Sequence, residues 1–389
     1  MKILFIHTIY KLAGGEDIVV KNEIDLLRSA GYEVALLQFD NSSFSLLKVV
    51  LMPFNFFSYV KTKSAIKSFK PDIVHIHNMH FAASPAVIYC AYRYKIPIVM
   101  TLHNYRLLCP SGTLYDGNKI FLDSLKSGFP WPAVRKGVYR KSRLLTFWLA
   151  LSNNLHKRLG CFKKVNAFIT LGAHSRDLFV DSHFADLNNR FIVKPNFIPD
   201  TTDSLSIESK AYFLFVGRLS VEKGLHTLLK AFSNSKLHLK IVGAGPLEAL
   251  AKQASENHAN IEFLGQQPKA KVNELMDHAE ALIFPSQWYE TFGMVMIEAF
   301  SRSTPIIASG LGNITDIVTN EKNGLIFQPG DGKDLLAKVN FYNNLSTEVK
   351  SRFREESRAT YENNYTPAAN LLKLNAIYEG VINTHSHPL

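Results

Sequence analysis

The stretch Glu290-Thr-Phe-Gly-Met-Val-Met-Ile-Glu298 holds two carboxylates eight residues apart. It follows an apolar run, Ala281-Leu-Ile-Phe-Pro285, so the segment reads as strand, short loop and helix. Glu290 then sits in the loop and Glu298 about two turns into the helix. At ~1.5 Å per residue the two acids lie at most ~12 Å apart. That is roughly the length of a sugar joined through a diphosphate to a ribose. A helix N-terminus, which favours phosphate, falls between them. The spacing suits one glutamate for sugar hydroxyls and one for ribose hydroxyls. A surface acid followed by an unrelated helix acid is the alternative, and the remaining motifs decide between the two.

Gly217-Arg218-Leu-Ser-Val-Glu222-Lys223-Gly224 follows another apolar strand and opens a helix. Arg218 forks onto phosphate oxygens and Lys223 supplies a point charge, so together they can neutralise a diphosphate leaving group. Gly243-Ala-Gly245-Pro246 has the start of a dinucleotide fingerprint. Glu248 at the third glycine position and the intervening Pro246 argue against hydride transfer. A backbone wall beside a nucleotide, or a simple turn, remains. Gly14-Gly15 opens the first helix, where glycine lets backbone approach a phosphate or merely makes a tight turn. His103 begins His-Asn104-Tyr105-Arg106 at a strand's carboxyl end, a place from which imidazole reaches a sugar hydroxyl. His75, His77 and His80 crowd a second strand and its exit without the further ligands a metal site needs. Gly310-Leu-Gly312-Asn313 is another glycine loop, with Asp316 read as a helix-start acid.

Short Val/Ile/Leu-rich segments alternate with helical ones. In the first half the expected strands are Lys2–His7, Glu33–Phe39, Asp72–Ile76, Ile96–Leu102 and Ala167–Leu171, with a helix over Gly15–Ala30. In the second half they are Tyr212–Val216, Leu237–Val242, Ile261–Leu264, Ala281–Phe284 and Pro305–Ala308. Helices are expected at Glu222–Phe232, Leu247–Glu256 and Pro367–Asn383. This order predicts an α/β chain of two doubly wound, Rossmann-like domains with mostly parallel sheets, which bind ligands at the carboxyl ends of their strands. The domains are placed at 1–197 and 211–365, with a linker at 198–210 and a final helix at 366–389.

At 389 residues two domains are expected. Cys90, Cys109 and Cys161 have no paired spacing, so no disulfide framework or metal knuckle is predicted, and a reducing, cytoplasmic setting is the default. Neither a signal peptide nor a transmembrane run is expected. Charge divides unevenly. Residues 1–200 carry 26 Lys/Arg against 13 Asp/Glu, and residues 201–389 carry 18 against 20, so the net +11 belongs to the first half. Between Asp123 and Asp177 stand eleven cations and no acid. Such a field favours an anionic partner, although a merely soluble basic face would look the same. No nucleic-acid-binding module accompanies it.

Taken in order, Gly14-Gly15, His103, Gly217-Arg218-Leu219, Glu222-Lys223-Gly224, Gly243-x-Gly-Pro246 and Glu290-x7-Glu298 resemble the retaining, GT-B-fold glycosyltransferases of family four. The resemblance implies two domains facing a central cleft and a sugar moved from a nucleotide-diphosphate donor (UDP or GDP) to a saccharide acceptor. It implies donor contacts from Gly14, Gly15, Gly217, Gly243, Gly245, Pro246, Phe292, Gly293, Met294, Val295 and Glu298. It gives Arg218 and Lys223 to the diphosphate, and Glu290 and His103 to the transferred sugar. The leaving phosphate takes the acceptor proton, and no cofactor or metal is required. The final helix crosses back to the first domain. Two departures stand out: Asp316 replaces a usual Glu, and Phe121, Ser124 and Gly137-Val138 stand where a subgroup has additional cysteines.

Acceptor choice then falls to the basic first domain, with Asn104, Tyr105 and Arg106 as candidates. Phe44–Val60 and Leu144–Leu159 are apolar segments near basic clusters, suited to a membrane interface or to core packing. The expectation is a cytoplasmic enzyme, peripheral on the inner face of the cell membrane, extending a lipid-linked saccharide for surface polysaccharide. A sugar-nucleotide epimerase of the same fold and a transferase with a soluble acceptor are the alternatives.

Overall fold

Runs of β-branched and aromatic residues bounded by turns form short strands buried on both faces, and such strands build parallel sheets covered by helices. A computed structural model describes residues 1–10, 14–41, 46–125, 128–200 and 211–386 and shows two such sheets. The linker expected at 198–210 lies outside the described residues from 201 onward, as do residues 44 and 45 of the expected apolar segment.

The chain divides into two compact units, one of residues 1–114, 121–196 and 367–389, the other of 115–120 and 197–366. The first contains β1 (Lys2–Tyr10), β2 (Glu33–Asn41), β3 (Ile73–Ile76), β4 (Ile98–Thr101), β5 (Ala167–Thr170) and β6 (Phe191–Val193). Their order is β2-β1-β3-β4-β5-β6 and every pairing is parallel. The second contains β7 (Tyr212–Val216), β8 (His238–Val242), β9 (Ile261–Gly265), β10 (Leu282–Phe284), β11 (Ile306–Ser309) and β12 (Gly324–Phe327). Their order is β12-β11-β10-β7-β8-β9, again all parallel. Strands β6 and β12 were not among the expected ones. Both are short edge strands, and β12 opens on a glycine.

Two further expectations are corrected. The helix expected over Glu222–Phe232 is a 3-10 turn at Val221–Lys223 and then a helix at Leu225–Phe232. Gly224 breaks it at φ +74, a left-handed conformation that glycine adopts without strain. The segment 44–60 contains two helices, Leu46–Val50 and the start of Phe56–Phe69, rather than one. Asn55 caps the second, its side chain accepting from the amides of Phe57 and Ser58.

In the first unit, Ile3, Phe5, Ile73, Val99 and Ile169 of the sheet pack against Val20, Ile24 and Leu27 of the helix Gly15–Ser29. Leu374, Ile377, Tyr378 and Val381 of the C-terminal helix Pro367–Ser386 join the same cluster. Each such side chain contributes ~1.5–3 kcal/mol on full burial. Within this apolar surround Lys194, at the end of β6, donates to Glu23 Oε1 at 2.5 Å and to Asn370 Oδ1 at 3.2 Å. Both ionic side chains are 1% exposed. Burial alone would raise the Glu23 carboxyl, but Lys194 and then His77 hold it well below its usual 4.5.

Removing one member of a buried pair leaves the other charge uncompensated. Lys194→Met should therefore lose ~3–5 kcal/mol at neutral pH in urea melts. Glu23's contribution in the wild type is complete above pH 4.5 and is lost as pH falls toward its depressed folded value. The gap between wild type and variant should consequently narrow in acid. Equal stability of the two proteins at pH 7 would contradict this account.

Candidate active site

In the second unit the exits of β7, β8 and β10 meet because their backbones approach closely. A Cβ on Gly243, at φ +140, would lie 1.9 Å from the Gly217 carbonyl oxygen, and one on Gly224 would lie 1.8 Å from that of Pro285. Gly217 donates to the Val242 carbonyl and Leu219 to that of Ala244, locking the two loops side by side. Gln287 donates its amide to the Glu222 carbonyl. These contacts bring Lys223 to Glu290, with Nζ 2.6 Å from Oε1. Ser286 donates to the same oxygen at 2.5 Å. The buried Asn313 donates to the carbonyls of Glu290 and Thr291, fixing the loop from below.

Lys223 also lies 5.8 Å from the Phe284 ring centre and 5.5 Å from that of Trp288, so its ammonium stands in an aromatic corner. Arg218 is exposed and forms no ion pair among the described residues. Gly293, at φ +88, turns the chain into the helix Met294–Ser301. Phe292 is 2% exposed, its ring edge-on to Tyr365, so its backbone rather than its side chain is available to a ligand. Glu298 lies in the second turn of that helix, 2.6 Å from Lys269. This pair is open to solvent, and such pairs contribute about 0–1 kcal/mol, so a ligand displaces Lys269 at little cost.

In the first unit the ends of β3 and β4 place His77 and His103 together, with His77 Nδ1 2.9 Å from His103 Nε2 and the rings stacked. Burial holds His103 well below its usual range, so it is neutral. A pocket open to solvent is lined by His77, His80, Phe81, His103, Asn104 and Arg106, among others. Arg106 lies over the Tyr139 ring, whose hydroxyl meets His80 Nε2 at 3.1 Å. Tyr105 is a correction: it is 1% exposed and its hydroxyl meets Ser175, so its side chain is a core residue rather than an acceptor contact.

Gly14 has an extended backbone with open space at its Cβ position, so no turn requires glycine there. Its amide donates to Asp17 Oδ2, and Asp17 Oδ1 meets His7 Nε2, which leaves this helix start organised by Asp17. Gly15 is the first helical residue and is exposed. Asp316 is an exposed residue of the short helix Ile314–Ile317.

The fold matches that of solved glycosyltransferases. Anabaena Alr3699/HepE, in a crystal structure with UDP, superposes with a TM-score of 0.68 at 17% identity, over 97% of this chain and 100% of that one. A family model described as Glycosyltransferase Family 4 matches residues 13–200, and one described as Glycosyl transferases group 1 matches residues 198–360. The chain belongs to the GT-B glycosyltransferases of group 1.

O-antigen chain mannosyltransferase C of Escherichia coli is 32% identical over 160 residues, 40% of this chain and 43% of that protein. An uncharacterized 42.6 kDa protein in the cps region of Klebsiella pneumoniae is 25% identical over 268 residues, 68% and 64% respectively. The chain thus spans less than two thirds of the length of these relatives.

Several residues that shape the sites of this GT-B glycosyltransferase were not singled out from sequence. Ser286 and Asn313 carry no motif of their own. Glu23 did carry a signal, since it stands between Val19, Val20 and Leu27 on the inward face of an amphipathic helix. His77 was read only beside His75 and His80. Glu23, His75 and His77 bring three ligand-type atoms within 4.8 Å of one another, but Lys194 already supplies the cation on that carboxylate.

The glycines separate by experiment. Gly14→Ala should unfold within about ±0.5 kcal/mol of wild type, the range of unstrained surface changes. Gly243→Ala should lose more than ~1–3 kcal/mol, because a left-handed alanine is strained and its Cβ meets backbone. Equal melting of the two variants would reject the close-approach argument.

Proposed function

We propose that this glycosyltransferase moves a sugar, with retention of anomeric configuration, from a UDP- or GDP-sugar to a lipid-linked saccharide in surface-polysaccharide biosynthesis. The Lys223–Glu290 pair beside the exposed Arg218, with Glu298 further along the following helix, carries the donor half of this reading. Arg218 and Lys223 bind the diphosphate, and the helix start at Gly293–Val295 adds amide dipoles. Glu298 takes ribose hydroxyls. A diphosphate arriving at Lys223 competes with Glu290 for the ammonium and frees that carboxylate for the sugar. With two cations on the leaving group, no divalent metal is needed.

In the reaction the bond from the anomeric carbon to the phosphate oxygen breaks. The acceptor hydroxyl oxygen bonds to that carbon on the same face, and its proton passes to the leaving phosphate. His103 orients the transferred sugar, and Gly15 lies on the phosphate side. Asn104 and Arg106, beside the pocket of the first unit, serve the acceptor. The O-antigen chain mannosyltransferase relative supports a saccharide acceptor, and the structure with UDP supports a nucleotide donor.

The apolar segments of the first unit support membrane contact. No helix among the described residues is long and apolar enough to cross a membrane. Phe54, Phe56, Phe57 and Val60 are nonetheless exposed, as are Leu151 and Leu155 of the helix Arg143–Arg158 and Leu159 directly after it. His156 meets the Pro53 carbonyl at 2.6 Å, which joins these two stretches on one surface. Lys157, Arg158, Lys163 and Lys164 follow directly. Apolar side chains with adjacent cations fit the interface of an anionic bilayer.

A thermal-shift panel of nucleotide-sugars tests the donor assignment. Glu298→Ala should abolish the shift from the matching nucleotide, whereas Glu290→Ala should lose sugar discrimination and keep bare-nucleotide binding. Equal loss of bare nucleotide in both variants would overturn the assigned roles. For the membrane surface, co-sedimentation with vesicles rich in anionic lipid should be strong at low salt and several-fold weaker in Phe56→Ser/Phe57→Ser. Salt-insensitive binding, or none, would remove the peripheral-membrane element.

A further inference from the structure

Behind His103 lies a chain of polar contacts that ends on a buried ion pair. Glu23 Oε1 receives Lys194 at 2.5 Å. Its other oxygen, Oε2, is 3.2 Å from His77 Nε2, an approach at which two lone pairs would repel. A carboxylate oxygen only accepts, so His77 Nε2 carries the proton. Lys194 already balances the Glu23 charge, and a second cation at this depth would be unmatched, so one hydrogen on the His77 ring is enough for this contact. Its Nδ1 is then a lone pair. The contact from His77 Nδ1 to His103 Nε2, at 2.9 Å, requires the hydrogen to sit on His103 Nε2. His75 stands outside the chain, because its nitrogens are taken by Tyr378 and Thr101 at 2.7 and 2.8 Å.

We infer that Glu23 and His77 are positioning residues that fix His103 as its Nε2–H tautomer, so that Nδ1 serves as a hydrogen-bond acceptor for a sugar hydroxyl. The consequence for catalysis rests on the assignment of His103 to the transferred sugar. The tautomer does not. An acceptor nitrogen selects a hydroxyl, which can donate, over a deoxy or ether position, which cannot. The selection is set two side chains away from the ligand, by a carboxylate that never touches it. Metal-binding histidines are oriented by outer carboxylates in the same manner.

Long-range ¹⁵N–¹H correlation on ¹⁵N-histidine protein, assigned with His103→Asn and His77→Asn, reads the tautomer directly. The wild type should show a protonated Nε2 and a pyridine-type Nδ1 at both His77 and His103. An imidazolium at either residue, or a proton on His103 Nδ1, would overturn the inference even if every Glu23 variant failed to fold. In folded Glu23→Gln the amide can also donate, so the His103 signals should shift to a mixture of tautomers. Turnover should fall ~10-fold or more, the scale of outer-shell losses, with KM for the donor changed less than kcat. An unchanged tautomer in that variant would also overturn the inference. A changed tautomer with unchanged turnover supports the relay and overturns instead the placing of His103 at the transferred sugar.

Discussion

Glu23 is a carboxylate with almost no access to water, and its charge must be met within the protein. Lys194 and Asn370, which complete the network, lie 171 and 176 residues from their partners. The carboxylate therefore gathers the first helix, the exit of β3 through His77, the exit of β6 through Lys194 and the C-terminal helix through Asn370. The network is complete only when all four segments are in register, so it is costly when partial and specific when complete. Tyr378 adds a second tie by meeting His75 under the sheet. The last helix thus joins the first unit through polar geometry as well as through its apolar stripe.

The second unit reaches its geometry differently. There the organising constraint is backbone contact: Gly217 against Gly243, and Gly224 against Pro285, where an added Cβ would fall 1.8 Å from the carbonyl oxygen. These approaches draw loops that leave different strands into one cluster. They set Lys223 beside Glu290 without a buried charge network. Parallel sheets favour this arrangement, because every strand delivers its exit loop to the same edge.

How far the sequence reveals this depends on the range of the interaction. Strands such as Tyr212–Val216 and the helix after Gly14 were legible because pattern and punctuation are local. Strands β6 and β12 were not, since three or four residues at a sheet edge have too little pattern to separate from a turn. Lys194 illustrates the limit: beside Pro195 and shortly before the expected linker it carries no signal of burial, yet it is among the most buried side chains. The spacing of Glu290 and Glu298 showed that both belong near one strand exit. It did not show that Lys223 pairs with Glu290, because 67 residues separate them and only the fold brings them together. Tyr105 failed in the opposite way, lying in a motif between half-buried positions while its ring turns inward.

The three ion pairs near the strand exits differ in what they permit. Lys194–Glu23 is sealed, at 1% exposure on both sides, and no ligand can compete for either group. Such a pair fixes geometry and holds one protonation pattern. Lys223–Glu290 is 22% and 7% exposed, and Lys269–Glu298 is 58% and 23% exposed. Water screens these pairs and an incoming anion or hydroxyl can exchange with them, so their modest energy is an advantage at a binding surface. The sealed pair orients groups that must not move, and the open pairs occupy carboxylates that must be released. That division follows from burial alone, and it explains why the strongest electrostatics in this protein lie behind the candidate sites rather than in them.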